Sequence, residues 1–287
     1  MDIVLSILIH SVAFTALLYL ISVGLSVTMG LMGFANLAHG VFAMIGGYVA
    51  ATLITAVHLP WWAAIALAPF IVSVLGVVAE RVLYSRLYGK SELDQVLFSI
   101  GLLFVASAVA QKLYGPLLIQ VPMPAALLEP VRVLGVSTSS YKLVLVATGA
   151  TVALAVLYAL ERTTLGAMIR AAVENRAMAE GLGLNTSLLF SGTFALGTGL
   201  AALGGAIGAE LFPITPAYGF VYLVYFMIVV AIAGLGTVRG AFIASFLVAL
   251  TSTVSAYFVP EYGTIVLFAA VFLLLLARPQ GLFGRLS

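Results

Sequence analysis

Between Asp2 and Glu80 the chain carries no Lys, Arg, Asp or Glu. Every polar position in that stretch is therefore a turn or a polar group at membrane depth. At about 20 apolar residues per crossing it accommodates three helices. Two cuts present themselves. Met29-Gly30-Leu31-Met32-Gly33 is rich in helix-ending glycine, and His58-Leu59-Pro60-Trp61-Trp62 sets a proline beside two aromatic residues suited to the lipid-water interface. Further charge-poor windows cover 95–111, 143–160, 186–209, 220–237, 241–259 and 262–277. The expected fold is all-α, a polytopic transmembrane helix bundle of about eight to nine spans. It forms a single domain over 1–287, with a discontinuous helix near residues 30–40.

Composition agrees with the pattern. With 63% hydrophobic and 8% charged residues, the chain has too little polar surface to be solvated by water and must be solvated mostly by lipid. A net charge of +2 gives no reason to expect nucleic acid, and the absence of cysteine excludes disulfides and thiolate chemistry. Met1-Asp2 leads straight into apolar sequence without the basic start of a signal peptide, so the segment from Ile3 is expected to be a mature span.

Basic residues set the expected orientation. Arg81, Arg86 and Lys90 form one group, Arg162, Arg170 and Arg176 a second, Arg239 a third, and Arg278 with Arg285 a fourth. The positive-inside rule places all four groups in the cytoplasm, together with the C-terminus. The Pro-, Ser- and Thr-rich stretch 115–141, which contains Arg132, is expected on the opposite side with the N-terminus.

Within the apolar stretch, Gly33-Phe34-Ala35-Asn36-Leu37-Ala38-His39-Gly40 places an amide and an imidazole at membrane depth. Such groups are costly unless they face other helices or a water-filled cavity. Gly30, Gly33 and Gly40 permit a broken helix lining a path. The alternative is that Asn36 and His39 are interhelical hydrogen-bond partners. Gly46, Gly47, Gly197, Gly199, Gly204, Gly205 and Gly208 suit close helix packing. Gly30-Leu31-Met32-Gly33 and Gly234-Leu235-Gly236 are candidate remnants of two related halves.

The stretch 161–183 differs from the rest. Leu165, Met168, Ile169, Ala172 and Val173 share one helical face, and Arg170/Glu174 and Arg176/Glu180 are i,i+4 pairs of opposite charge. An amphipathic helix with balanced charge fits a protein partner better than a lipid surface, which favours excess Lys and Arg. No phosphate-binding loop or H-E-x-x-H is present, and His10, His39 and His58 are too scattered for a metal site. Only Glu210 and Glu261, both read as end-of-helix residues, sit close to spans, which is meagre equipment for a proton- or sodium-coupled carrier.

Four segments carry a family resemblance. Ala35-Asn36-Leu37-Ala38-His39-Gly40 with Gly46-Gly47-Tyr48 resembles the N-L-A-H-G…G-A-Y signature of permeases in branched-chain amino acid ABC importers. Thr164-Leu165-Gly166, Arg170-Ala171, Glu174-Asn175, Ala179 and Gly183-Leu184-Asn185 are similar to that family's ATPase-docking loop. Gly234-Leu235-Gly236-Thr237 with Gly240-Ala241, and Arg278-Pro279-Gln280-Gly281-Leu282-Phe283-Gly284, resemble its C-terminal pattern. The resemblance covers nearly the whole chain. It implies the shorter of two permeases in an inner-membrane importer without an ATPase site of its own. The implied partners are a second homologous permease, two ATPase subunits that hold ATP and Mg, and a periplasmic substrate-binding protein, with lipid around the spans.

The resemblance further implies a cytoplasmic coupling loop over 161–185 that presents Leu165, Gly166, Arg170, Glu174, Asn175, Ala179 and Gly183 to the ATPase. Asn36, His39, Gly33 and Gly40 would lie on or beside the substrate pathway. Ala233 departs from a frequent glycine and Tyr225 from a frequent lysine, and family members also serve urea, short amides and aromatic acids. A stand-alone channel or gradient-driven carrier is the rival of a different class.

Overall fold

The computed structural model describes residues 2–34, 36–133 and 135–284, without the side chains of Asp2, Leu31, Val173 and Arg176. Ala35 of the signature and Arg285 of the terminal basic group lie outside the described residues. Among the described residues, seven helices are long and apolar enough to cross a membrane. They are α1 (Asp2–Met32), α3 (Trp61–Val82), α4 (Glu92–Tyr114), α6 (Ser140–Arg162), α9 (Thr186–Ile207), α11 (Val238–Phe258) and α12 (Gly263–Ala277), the last extended by a 3-10 turn at Pro260–Tyr262. Two shorter apolar helices, α2 (His39–Thr55) and α10 (Tyr218–Ala233), make up the rest of the bundle. Both start inside the bundle, each after described residues that are not helical, 33–34 and 36–38 before α2 and 208–217 before α10.

The remaining elements lie between spans: α5 (Ala125–Leu128), α7 (Thr164–Glu174), α8 (Arg176–Gly181) and a 3-10 turn at Tyr84–Leu87. A small hairpin of β1 (Pro130–Val133) and β2 (Val136–Ser139) pairs Val133 with Val136 and Pro130 with Ser139. The Pro-, Ser- and Thr-rich stretch 115–141 thus holds some structure of its own.

Element order reveals two similar runs. Each has a long helix, a break, a short helix and two further helices: α1 through α4, and α9 through α12. The long helices α1 and α9 are antiparallel, since Gly24 meets Gly197, Ile21 meets Gly204 and Leu17 meets Gly208. The two runs therefore have opposite sense, as in inverted-repeat transporters. The glycine clusters expected to mark the repeat do not correspond within it. Gly30 closes a long helix and Gly236 follows a short one, and the two pack on each other instead, with no space for a Cβ on Gly30.

The core is where α1, α2, α3 and α9 meet. Glycine permits this: Gly46 lies on Ala202, Gly205 on Ala43 and Gly76 on Thr198, each with its backbone in direct contact with a neighbour. In lipid such close approach, rather than expulsion of water, drives helix association. Polar side chains add cross-links, as in Ser73 Oγ donating to the Ala195 carbonyl at 2.9 Å. By contrast α4, α6 and α12 leave most of their surface outward, with Phe104, Leu154, Phe272 and Leu276 all more than 60% exposed, as lipid-facing helices do.

Candidate translocation path and docking loop

The break after α1 is built by Gly33, whose φ of +59° ends the helix while its N–H still donates to the Met29 carbonyl at 3.1 Å. The chain then turns back into the bundle. Phe34 is buried against the rings of Tyr84 and Tyr88, at centroid separations of 5.1 and 6.3 Å. Asn36 is 1% exposed, and its Oδ1 accepts from the Tyr84 hydroxyl at 3.1 Å. His39 is fully buried in the first turn of α2, with Nε2 3.1 Å from the Ile21 carbonyl. Gly40 places the start of α2 against the start of α10 at Gly219 and against Phe226.

Three of the four expected path residues, Asn36, His39 and Gly40, are thus gathered in one buried region, while Gly33 stands exposed at the helix end. In this conformation Asn36 and His39 cross-link elements. Each also keeps one polar atom, Asn36 Nδ2 and His39 Nδ1, buried without a hydrogen-bond partner. An unsatisfied buried polar atom costs about 1–3 kcal/mol, so a polar guest or water arriving there would be stabilised.

The second break has its own aromatic seal. Phe212 stacks on Tyr222 at 4.0 Å and meets Phe14 edge-on at 5.5 Å. Ile119 N–H donates to the Ile214 carbonyl at 2.9 Å, tying the segment to the stretch after α4. Tyr225, at the departure from the family's lysine, packs on Phe14 and Phe212. Ala233, at the departure from glycine, is fully buried at the end of α10.

One residue of this region escaped the sequence reading. Glu80 lies in the last turn of α3 and is 3% exposed, with Tyr88 donating to Oε1 at 2.9 Å and Ser191 donating to Oε2 at 2.5 Å. The statement that only Glu210 and Glu261 lie near spans is therefore corrected. Beside Arg81, Glu80 looked like the start of a loop; one hydroxyl partner, Tyr88, lies past the following turn and the other, Ser191, on a helix far away in sequence, so neither leaves a local signal.

At the end of the bundle that carries most of the basic residues, the expected coupling helix is two helices. Asn175 divides them, accepting the Met178 N–H on its side chain at 2.9 Å as the N-cap of α8. Thr163 caps α7 and Asn185 caps α9 in the same manner. The apolar face of α7 docks as expected through Ile169 and Ala172, which are 3% and 1% exposed, whereas Leu165 is 44% exposed. Val173 and the Arg176 side chain lie outside the description.

The expected Arg170–Glu174 pair does not form. Arg170 turns back and donates to the Leu160 carbonyl, one of the unpaired carbonyls in the last turn of α6. Glu180 accepts from the Thr186 hydroxyl at 2.5 Å. Among the residues expected to face an ATPase, Glu174, Asn175 and Gly183 are exposed, while Gly166 and Ala179 are buried in the seat of the loop. Met178 and Leu182, 66% and 79% exposed, were not singled out by the sequence pattern.

Beneath α7 a cavity of about 320 Å³ is lined by Leu160, Glu161, Arg170, Gly236, Thr237 and Arg239, among others. Arg239 pairs with Glu161 across it. The terminal segment closes this end: Leu282 N–H donates to the Ile232 carbonyl at 2.7 Å and Phe283 N–H to Ala233 at 3.2 Å, capping α10.

Against known proteins, residues 7–276 match the family model described as branched-chain amino acid transport system, permease component. The chain is 29% identical over 283 residues to the high-affinity branched-chain amino acid transport system permease protein BraD of Pseudomonas aeruginosa, covering 93% of this chain and 91% of that protein. It is 28% identical over 284 residues to the corresponding protein LivH of Escherichia coli K12, with the same coverage. Identity is 22% over 294 residues to a probable branched-chain amino acid transport permease LivH of Methanocaldococcus jannaschii, covering 96% and 90%. No solved structure matches. With the match spanning almost all of a bundle of apolar helices, the chain belongs to the branched-chain amino acid transport permease family, as a multi-pass membrane component of a transport system.

Proposed function

We propose that the chain is one permease subunit of an ATP-driven importer in the bacterial inner membrane, moving branched-chain or related amino acids. The observation that carries this reading is the α7–α8 loop: an amphipathic helix seated on the bundle by Ile169 and Ala172, with Glu174, Asn175, Met178 and Leu182 turned outward. A loop held rigidly outside the spans with a mixed apolar and polar outer face suits a protein partner. The sequence contains no nucleotide-binding loop of its own, so ATP and Mg belong to two ATPase subunits. A second homologous permease and a periplasmic binding protein complete the assembly, and the C-terminus lies in the cytoplasm with the basic end.

Within the chain, the path passes the break at Asn36 and His39, whose unpartnered Nδ2 and Nδ1 atoms offer hydrogen bonds to a zwitterion in transit. Urea, short amides or aromatic acids are the alternative cargo. The test is affinity purification from the native membrane. Recovery of an ATPase, a second permease and a binding protein supports the reading, and ligand screening of the binding protein then names the cargo. Recovery of the chain alone, transporting without ATP, overturns it in favour of a stand-alone channel or gradient-driven carrier.

A further inference from the structure

Glu80 is a carboxylate inside a membrane helix that neither the docking loop nor the path residues account for. A buried carboxylate is costly unless fully bonded, and an ionisable group at such a place usually has a task. Among the described residues Glu80 forms no ion pair; its partners are the hydroxyls of Tyr88 and Ser191. Ser191 is on α9, and Tyr88 follows the turn Tyr84–Leu87. The 84–88 stretch holds the break after α1, through Tyr84 on Asn36 and through both tyrosine rings on Phe34. Tyr84 is further wedged between Phe98 and Phe194, at 5.6 and 4.7 Å.

We propose that Glu80 is a positioning residue that latches a gate at the basic end of the break. Its two hydroxyl bonds pin the 84–88 stretch to α9, and the pinned tyrosines keep Phe34 and Asn36 in place. Opening the break toward the basic end requires Phe34 to leave the tyrosine rings and Asn36 to leave Tyr84. Releasing Tyr88 from Glu80 frees the first of these. The other break is sealed separately, by Phe212 on Tyr222 and Phe14, so the latch governs one end only. The inference rests on the proposal that the break lies on the path.

The chain has no cysteine, so a single introduced thiol is the one thiol on this chain, and its labelling is read on this chain after it is separated from its partners. Ala38→Cys places it in the break, at a position with no exposure. The complex carrying this change is labelled in membrane vesicles with a membrane-impermeant thiol reagent, applied from each side in turn. Adding Glu80→Ala removes both acceptors and is expected to speed labelling from the basic side by about tenfold, the equivalent of one hydrogen bond to a charged group. Labelling from the other side stays unchanged. Tyr88→Phe gives a smaller increase, and Glu80→Gln, which keeps one accepting oxygen, lies nearest the parent.

A purely structural Glu80 would lower the amount of folded chain and leave the labelling rate of the folded fraction unchanged, which overturns the proposal. If Glu80→Ala fails to accumulate, Tyr88→Phe and Ser191→Ala each remove one hydroxyl and decide the matter by the same rate. Failure of the reporter parent to retain an ATPase would count against the importer reading, and the labelling comparison would still judge the latch.

Discussion

A Cβ on Gly40 would stand 3.2 Å from the Cα of Gly219, so the first turns of α2 and α10 meet almost backbone to backbone. This contact joins the two runs of the fold at the point where both short helices begin. Gly40→Ala asks the neighbour to shift by a few tenths of an ångström and is expected to cost about 1 kcal/mol or less. Gly40→Leu overfills the contact and is expected to cost about 1–3 kcal/mol. Thermal stability in detergent, followed by size-exclusion chromatography, separates the two; equal behaviour would show that the contact is loose.

His39→Leu removes the bond to the Ile21 carbonyl, which retains its own helical partner, so the expected loss of stability is about 1 kcal/mol. Uptake per folded molecule is expected to fall more steeply, because the unpartnered Nδ1 disappears as well. Uptake that simply tracks the amount of folded chain would assign His39 to packing alone.

Glu174→Lys reverses a charge on the outer face of the α7–α8 loop, the proposed ATPase contact, where Glu174 makes no ion pair with Arg170. Membrane insertion is expected to be intact and ATP hydrolysis in the assembled complex to lose its dependence on substrate-loaded binding protein. Measuring hydrolysis and uptake on one preparation checks this, and normal uptake would reduce the loop to a connector.

Arg239 and Glu161 join the start of α11 to the end of α6 beside α7. Both are partly exposed, so the pair contributes roughly 0–1 kcal/mol to stability. Its expected effect is on coupling: reversing either charge lowers uptake per ATP hydrolysed, and the double exchange Glu161→Arg with Arg239→Glu restores it. Uptake per ATP that is equal in the single and double variants would show that the pair has no part in coupling.

The terminal segment caps α10 through the N–H groups of Leu282 and Phe283. Ending the chain at Arg278 leaves the Ile232 and Ala233 carbonyls without these partners, at an expected cost of about 1–3 kcal/mol each where they stay dry. The truncated chain is therefore expected to show a lower melting temperature and a lower yield; an unchanged melting temperature would mean that water replaces the cap.

Much of this architecture is legible in one dimension. The run without charge from Ile3 to Ala79, the aromatic pair at Trp61 and Trp62, and the four basic groups suffice to place helices and their ends, because lipid forces every backbone group to be satisfied within its own segment. Asn36 and His39 stand out for the same reason, as polar groups amid unbroken apolar sequence. The α7–α8 loop is recognisable by its helical face, although Asn175 divides it, since the side chain of Asn caps a new helix better than it continues an old one.

What the tertiary structure alone decided are pairings between residues remote in sequence. Glu80 with Ser191, Asn36 with Tyr84 and Gly30 with Gly236 depend on which helices lie side by side. A hydrophobic pattern says only that a helix is apolar, because in lipid nearly every face is apolar and no solvent boundary singles out the side that meets a neighbour. The sequence by itself therefore determined the spans, their ends and the family, while helix packing decided which buried polar atoms were satisfied and which, those of Asn36 and His39 among them, were left open.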